Sequence, residues 1–403
     1  MREVGYFVNA YPSPSHTFIR REILALEALG WRIHRFSIRH AKGLEDPADR
    51  SEKTQTAELA SWSVVEAAFA LLRVLQQPMH LVHGLWVTLK MAWRSEHFIR
   101  SLAVFPEAIL LLKRLEDKGL RHVHAHFGTN SASVVRIVRL LGGPSFSFTV
   151  HGPFELEPPS VWSTADKVRD AAFVVAISKF ARAQVMRVTA PANWHRVHVI
   201  HTGLVCRQGT DPDDGGFRSR RLVSIGRLAP EKGHLVLLNA AHQLASRGVE
   251  FDLSIVGDGP LRSLLEHEVQ RLGLSKRVRF TGWLDDKGVS AELRHSRGLI
   301  LPSFSEGLPV VLLESLYAGR PVIATQIGGI SELVEEAVTG WMVPPGDEKA
   351  LAKAMVTLLQ MPNAVLSEMG RTCRAVVASR HDVEKEAKKL SILFAECLGA
   401  SGN

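Results

Sequence analysis

The chain has 403 residues, 46% of them hydrophobic and 22% charged, with a formal net charge of +8. This balance suits a soluble globular protein with two hydrophobic cores, and the positive charge favours anionic partners: nucleic acid, a phospholipid surface or a phosphorylated small molecule. Three cysteines, Cys206, Cys373 and Cys397, lie far apart, form no CxxC pair and leave an odd thiol, so neither a disulfide framework nor a zinc site is indicated and a reducing cytoplasm is the natural setting.

The opening run Met-Arg-Glu-Val-Gly-Tyr-Phe-Val turns polar too soon for a signal peptide and reads as a first buried strand. Tyr11-Pro12-Ser13-Pro14-Ser15-His16-Thr17 then leads into a helix starting near Phe18. Helix capping by Ser or Thr explains part of that stretch, while Ser15, His16, Arg20 and Arg21 are candidates to meet a substrate. Residues 61–112 are rich in Leu, Val, Ala and Trp, with charges arriving at intervals (Glu66, Arg73, Lys90, Arg94, Glu96, Arg100), the pattern of amphipathic helices. Trp62, Trp86, Trp93 and Phe98 beside basic residues suit a helix lying in the headgroup layer of a membrane; a pair of core helices, or a mixture of the two, fits as well. No stretch reaches the about 18 consecutive uncharged apolar residues that a bilayer span needs.

Short apolar runs otherwise alternate with helical patterns, the signature of βαβ units and a parallel sheet. Strands are predicted at 4–8, 32–38, 122–126, 145–150, 173–177 and 197–200, and a second series at 222–225, 251–256, 278–281, 299–301 and 322–324. The polar, turn-rich residues 207–219 separate the two series. The expected architecture is α/β: a Rossmann-like domain over 1–206, a linker over 207–219, a second Rossmann-like domain over 220–380 and a C-terminal helix over 381–403. Ligands of such sheets bind outside the carboxyl ends of the strands, here in a central cleft faced by both sheets.

The most informative stretch is 301–325, LPSFSEGLPVVLLESLYAGRPVIAT, a strand, a loop, a helix, a Gly-stopped turn and a strand. Gly307 lets the backbone approach a ligand, Pro309 fits the first helical turn, and the amides there form an anion site suited to a diphosphate. Glu314 lies two turns beyond Gly307 among apolar neighbours, where a carboxylate is costly without a partner and can accept hydrogen bonds from sugar hydroxyls. Gly226 ends a strand and presents Arg227 and Lys232, two cations placed to stabilise charge growing on a departing diphosphate. Gly257 in IVGDGP and Trp283-Leu284 in FTGWL mark two more strand ends closed by glycine, which accept a flat base. His151 ends a strand in TVHG and suits a hydrogen bond to a sugar hydroxyl at neutral pH. His124 and His126 face one side of a strand, as cleft-lining residues or as satisfied structural ones; a metal site made of these with His151 lacks a nearby carboxylate or cysteine. Asp211-Pro-Asp213 sits in the linker and reads as a turn, so no metal is expected.

With Glu306 and Glu314 forming an E-x7-E motif, the chain resembles the retaining glycosyltransferases of family 4, which have the GT-B fold; the resemblance spans the chain and is strongest over 222–346. It implies that Glu306 contacts the donor sugar, that Gly307, Leu308, Pro309 and Val310 offer amides to sugar and phosphates, and that Glu314 binds the ribose. It further implies that Arg227 and Lys232 hold the phosphates, that the base rests near Gly257, Trp283 and Leu284, and that His151 lies against the donor sugar. The glycines that family members commonly carry after the first strand are absent here, and Ser15 and His16, with His126, become acceptor candidates. The run Ser15-x-Thr17-Phe18-Ile19-x-x-Glu22 is similar to a branch that builds bacterial exopolysaccharides such as colanic acid. The implied function is transfer of a hexose from a UDP-sugar or GDP-sugar, with retention and without a required cofactor, to a saccharide or polyprenyl-diphosphate-linked acceptor at the inner face of the cytoplasmic membrane. A sugar-nucleotide epimerase or hydrolase of the same fold, or a non-catalytic nucleotide-sugar-binding protein, are the rivals; dispersed basic residues without aromatic interleaving argue against nucleic acid.

Overall fold

A computed structural model describes residues 2–13, 15–41, 46–95, 98–157, 163–206 and 214–400. The chain divides into two compact units: Met1–Gly203 together with Val383–Asn403, and Leu204–Asp382. The C-terminal helix, Val383–Ala400, thus belongs with the first half of the chain. Of the expected linker, 207–213 lie outside the described residues, Asp211 and Asp213 included.

The first unit carries a seven-stranded sheet in the order β3-β2-β1-β4-β5-β6-β7, formed by Glu3–Ala10 (β1), Arg32–Arg39 (β2), Thr56–Glu58 (β3), His122–His126 (β4), Ser145–Val150 (β5), Phe173–Ala176 (β6) and Val197–Val199 (β7). Every pairing is parallel. Its core joins Val4, Tyr6 and Val8 to Ile19, Ile23 and Leu26 of the helix Thr17–Ala28, and to Leu390 and Phe394 of the C-terminal helix. Phe394 packs its ring 5.5 Å from that of Trp31, whose indole nitrogen donates to Ser391.

The second unit has a six-stranded parallel sheet, β10-β9-β8-β11-β12-β13, made of Arg221–Ile225 (β8), Asp252–Val256 (β9), Val278–Gly282 (β10), Gly298–Leu301 (β11), Val322–Thr325 (β12) and Gly340–Val343 (β13). The sequence reading located every strand but β3 and β13, two short edge strands whose few residues carry little periodicity of their own. In both sheets the strand order reverses once, between β1 and β4 and between β8 and β11. Open α/β sheets bind ligands beyond the strand ends at such a reversal.

The 61–112 region combines buried and exposed helix. Val104–Asp117 buries Val104, Ala108, Leu111, Leu112 and Leu115. Val64–Leu75 and Pro78–Trp93 instead leave Val65, Phe69, Leu72, Met79, Val82, Trp86 and Trp93 exposed. Among the described residues no helix is long and apolar enough to cross a membrane.

Candidate functional site

In the second unit the two loops flanking the β8/β11 reversal are stitched together. Gly233 has φ +66, and a Cβ there would lie 2.0 Å from the Pro302 carbonyl oxygen, so the loop after β8 packs directly on the loop after β11. Phe304 N donates to Glu231 O at 2.8 Å. The side chains then meet: Lys232 Nζ donates to Glu306 Oε1 at 2.6 Å, and Ser303 Oγ donates to the same oxygen at 2.8 Å. Thr325 at the end of β12 holds Ser303 through its carbonyl oxygen at 2.6 Å. Glu306 is therefore oriented from β8, β11 and β12 at once.

A third segment closes over the same loop. Gly329 N donates to Gly307 O at 2.7 Å, and Gly328, φ +55, would place a Cβ 2.1 Å from Glu306 O. Leu308 and Pro309 are buried, and the helix Val310–Tyr317 begins directly after Pro309. The first amides of an α-helix have no intrahelical acceptor and carry positive partial charge, so this turn suits an anion. Glu314 sits half-buried on that helix, already engaged in an interaction of its own.

Arg227, 61% exposed, pairs at 2.8 Å with Glu231, whose carboxylate also feels the charge of Lys232. Gly226, Gly257 and Gly282 close β8, β9 and β10 in a row: Gly226 N donates to Val256 O at 3.0 Å and Gly257 N to Gly282 O at 2.8 Å. Gly257, φ +125, would set a Cβ 2.1 Å from Gly226 O, so no other residue fits. Trp283 is exposed beside half-buried Leu284.

In the first unit, His126 and His151 meet at the ends of β4 and β5, with ring nitrogens 3.1 Å apart. Phe18 and Phe127 cover His151 at ring distances of 4.8 and 4.7 Å, and His16 packs on Phe127 at 5.1 Å. Burial, reinforced by His126 and His16, holds His151 well below the ordinary histidine pKa. The neutral form is thereby favoured at pH 7, the form that both donates and accepts a hydrogen bond. Burial likewise lowers His16, to about 4, while its Nδ1 lies 3.1 Å from Ala10 O. Ser15 is exposed, its hydroxyl 3.3 Å from that of Ser13.

His124 and the further His122 form a polar ladder with β5. Ser145, Ser147 and Thr149 stand opposite the three histidines in register, and their hydroxyls lie 2.7 to 2.9 Å from both nitrogens of His122 and of His124. Glu22 supplies the carboxylate the sequence reading did not find: its oxygen and nitrogens of His124 and His126 lie within 4.8 Å of one another. Hydroxyls occupy both His124 nitrogens and Glu22 accepts the Tyr6 phenol at 2.8 Å, while His126 Nε2 is buried 3.3 Å from Glu22 Oε1. The carboxylate comes from a helix a hundred residues away, which no local motif reveals.

Sequence reasoning also missed Glu155. Wholly buried, it accepts amides from His151 and Gly152 on one oxygen, at 2.7 and 2.9 Å, and from Gly128 on the other, at 2.5 Å. Lys167 Nζ caps the same loop by donating to Gly128 O and Thr129 O. Burial pushes the Glu155 carboxyl up to about 8, against the pull of the amides and Lys167.

Two doubly wound parallel sheets define a GT-B fold, the class of architecture shared by many glycosyltransferases. The chain superposes along 98% of its length on Alr3699/HepE of Anabaena, solved in complex with UDP and glucose, with TM-score 0.73, 17% identity and 99% of that chain covered. Residues 219–361, within the second unit, match the family described as Glycosyl transferases group 1. Among curated relatives, the alpha-D-kanosaminyltransferase of Streptomyces kanamyceticus is 28% identical over 309 residues, 70% of this chain and 79% of the relative. A protein of Escherichia coli K12 named "Putative colanic acid biosynthesis glycosyltransferase WcaL" is 24% identical over 399 residues, 95% of this chain and 97% of the relative.

Proposed function

We propose that the protein is a retaining hexosyltransferase of family 4 that takes its sugar from a UDP-sugar or GDP-sugar and builds a cell-surface or exopolysaccharide. The observation that carries this reading is the Lys232–Glu306 pair at the β8/β11 reversal, locked by Gly233, Gly328 and Ser303 beside a helix N-terminus. In it Lys232 and Arg227 hold the diphosphate and stabilise the charge that grows as the glycosidic bond breaks, a stabilisation larger in the transition state than before it. Glu306 positions the donor sugar, the 307–310 amides receive sugar and phosphate oxygens, Glu314 takes the ribose, and Gly257, Trp283 and Leu284 receive the base. No divalent ion is required. His151, as a neutral ring, donates to or accepts from a sugar hydroxyl, and Ser15, His16 and His126 belong to the acceptor side. UDP and glucose bound to the Anabaena protein support a nucleotide-sugar donor, and the name of the E. coli relative supports a polysaccharide product. The exposed apolar helices of the first unit support peripheral attachment to an anionic membrane, where a polyprenyl-diphosphate-linked acceptor resides.

Release of nucleotide from a panel of UDP- and GDP-sugars in the presence of a membrane lipid extract tests the reading. Donor-specific release that Glu314→Ala abolishes is the expected result. Binding of nucleotide without release or transfer points to a binding protein; release of free sugar without an acceptor points to a hydrolase.

A further inference from the structure

Beneath the helix Pro78–Trp93 lies a cavity of about 290 Å³, walled by that helix and by residues of Asn130–Leu140 and Thr164–Asp170. Its floor is polar. Arg136, almost fully buried, donates to Asp170 at 2.8 Å and lies 3.8 Å from Asp166, and Arg169 binds both aspartates at 2.8 Å. The aspartates are thus answered by the floor's own guanidinium groups, and the rim adds two more cations, Lys90 and Arg94. Lys90 Nζ sits 5.1 Å over the ring of Trp86, a cation resting on an exposed aromatic face.

The placement of this cavity gives it meaning. The helix buries Gly84, Val87, Thr88 and Met91 and exposes Met79 and Trp93, which are 86% and 84% accessible. His83, Trp86, Lys90 and Arg94 recur at helical spacing along the boundary between those faces, where apolar surface passes into the cavity mouth. A helix whose apolar face enters a bilayer holds its boundary at the depth of the phosphates, where Trp and Lys or Arg side chains are most comfortable. The volume equals that of roughly ten waters at about 30 Å³ each, room for a phosphodiester headgroup with part of its hydration.

We infer that this cavity is a binding site for the phosphate of an anionic phospholipid, gripped by Lys90 and Arg94 beside Trp86, so that the protein docks on acidic membranes through a specific headgroup contact as well as through apolar insertion. The inference rests on the proposed peripheral attachment and goes further by naming the site and the lipid chemistry.

Co-sedimentation of the full chain with phosphatidylcholine vesicles, with and without phosphatidylglycerol, tests it. The parent binds both, and phosphatidylglycerol strengthens binding at least tenfold. Lys90→Ser with Arg94→Ser removes that gain and leaves binding to phosphatidylcholine intact, for a loss of about ten- to thirtyfold on the acidic vesicles. Lys349→Ser with Lys353→Ser, an equal loss of charge at two exposed positions on the helix Glu348–Gln360 of the second unit, keeps the gain. Circular dichroism confirms that each variant is folded. If the Lys90/Arg94 variant retains the gain, or if both double variants lose it alike, the cavity does not read a headgroup while attachment itself stands. A parent that binds no vesicle overturns the attachment reading, and this site with it.

Discussion

Residue by residue, the burial of ionisable groups gives the first unit a pH signature. His16, His122, His124 and His151 are all depressed below 6.5 by burial, to about 4 for His16 and about 3 for His122. Each binds a proton more readily in the unfolded chain, so each contributes stability that is present above pH 6.5 and lost as pH falls below it, at about 1.4 kcal/mol per pH unit. Urea titrations from pH 7 to 5 should show this slope, and His122→Asn should shallow it by one histidine's share. Glu155 runs in the opposite sense: held near 8 in the fold and near 4.5 unfolded, its contribution is full in acid and declines as pH rises through that window. Glu155→Gln keeps two amide bonds but turns an NH2 towards Gly128 N, and should cost about 1–3 kcal/mol while abolishing the decline between pH 4.5 and about 8. In the second unit, Lys232→Met should lower kcat about a hundredfold with a smaller change in KM, since Lys232 is read as acting on charge that develops during the reaction. The Glu306 motif was legible because both its carboxylates lie on one short stretch; Glu22 was not, because long-range packing brings it to His124 and His126, and Glu155 was passed over although its bonds to His151 and Gly152 are local and only Gly128 is distant in sequence.

Among the elements, glycines and strand ends carry the architecture. Gly257→Ala forces a Cβ onto Gly226 O at a backbone angle that L residues avoid, and should destabilise the second unit by about 3 kcal/mol or more, seen as a lowered Tm. Gly248, also at positive φ (+72), meets nothing within 4 Å, so alanine there should cost about 1 kcal/mol from backbone strain alone. Outside the edge strands β3 and β13, the alternation of strand and helix was readable because parallel strands buried on both faces tend to appear as apolar runs. His122–His126 was read as a strand despite its histidines, yet the composition left open whether those rings line a site or satisfy one another. The hydroxyls of β5 answer that for His122 and His124, and register pairing is a property of two strands together. The helices over 64–93 stayed ambiguous for a related reason: apolar periodicity shows that a face exists and says nothing of what covers it.

For the whole molecule, the expected domains ended where composition changed, whereas the fold divides where the chain crosses. The first unit is closed by Val383–Ala400, which supplies Leu390 and Phe394 to its core. A chain cut after Arg380 should therefore lose the first unit's cooperative unfolding transition in calorimetry, and Phe394→Ala in the intact chain should cost about 3–5 kcal/mol. Residues 204–382 form an insertion with both ends side by side: Leu204 N donates to His381 O at 2.7 Å and Leu204 bridges Asp382. Such a segment behaves as a cassette. Recombination at these two points would exchange residues 204–382 while leaving the first unit's core complete; on the proposed reading of the two units, a lineage would thereby change its donor sugar and keep its acceptor side.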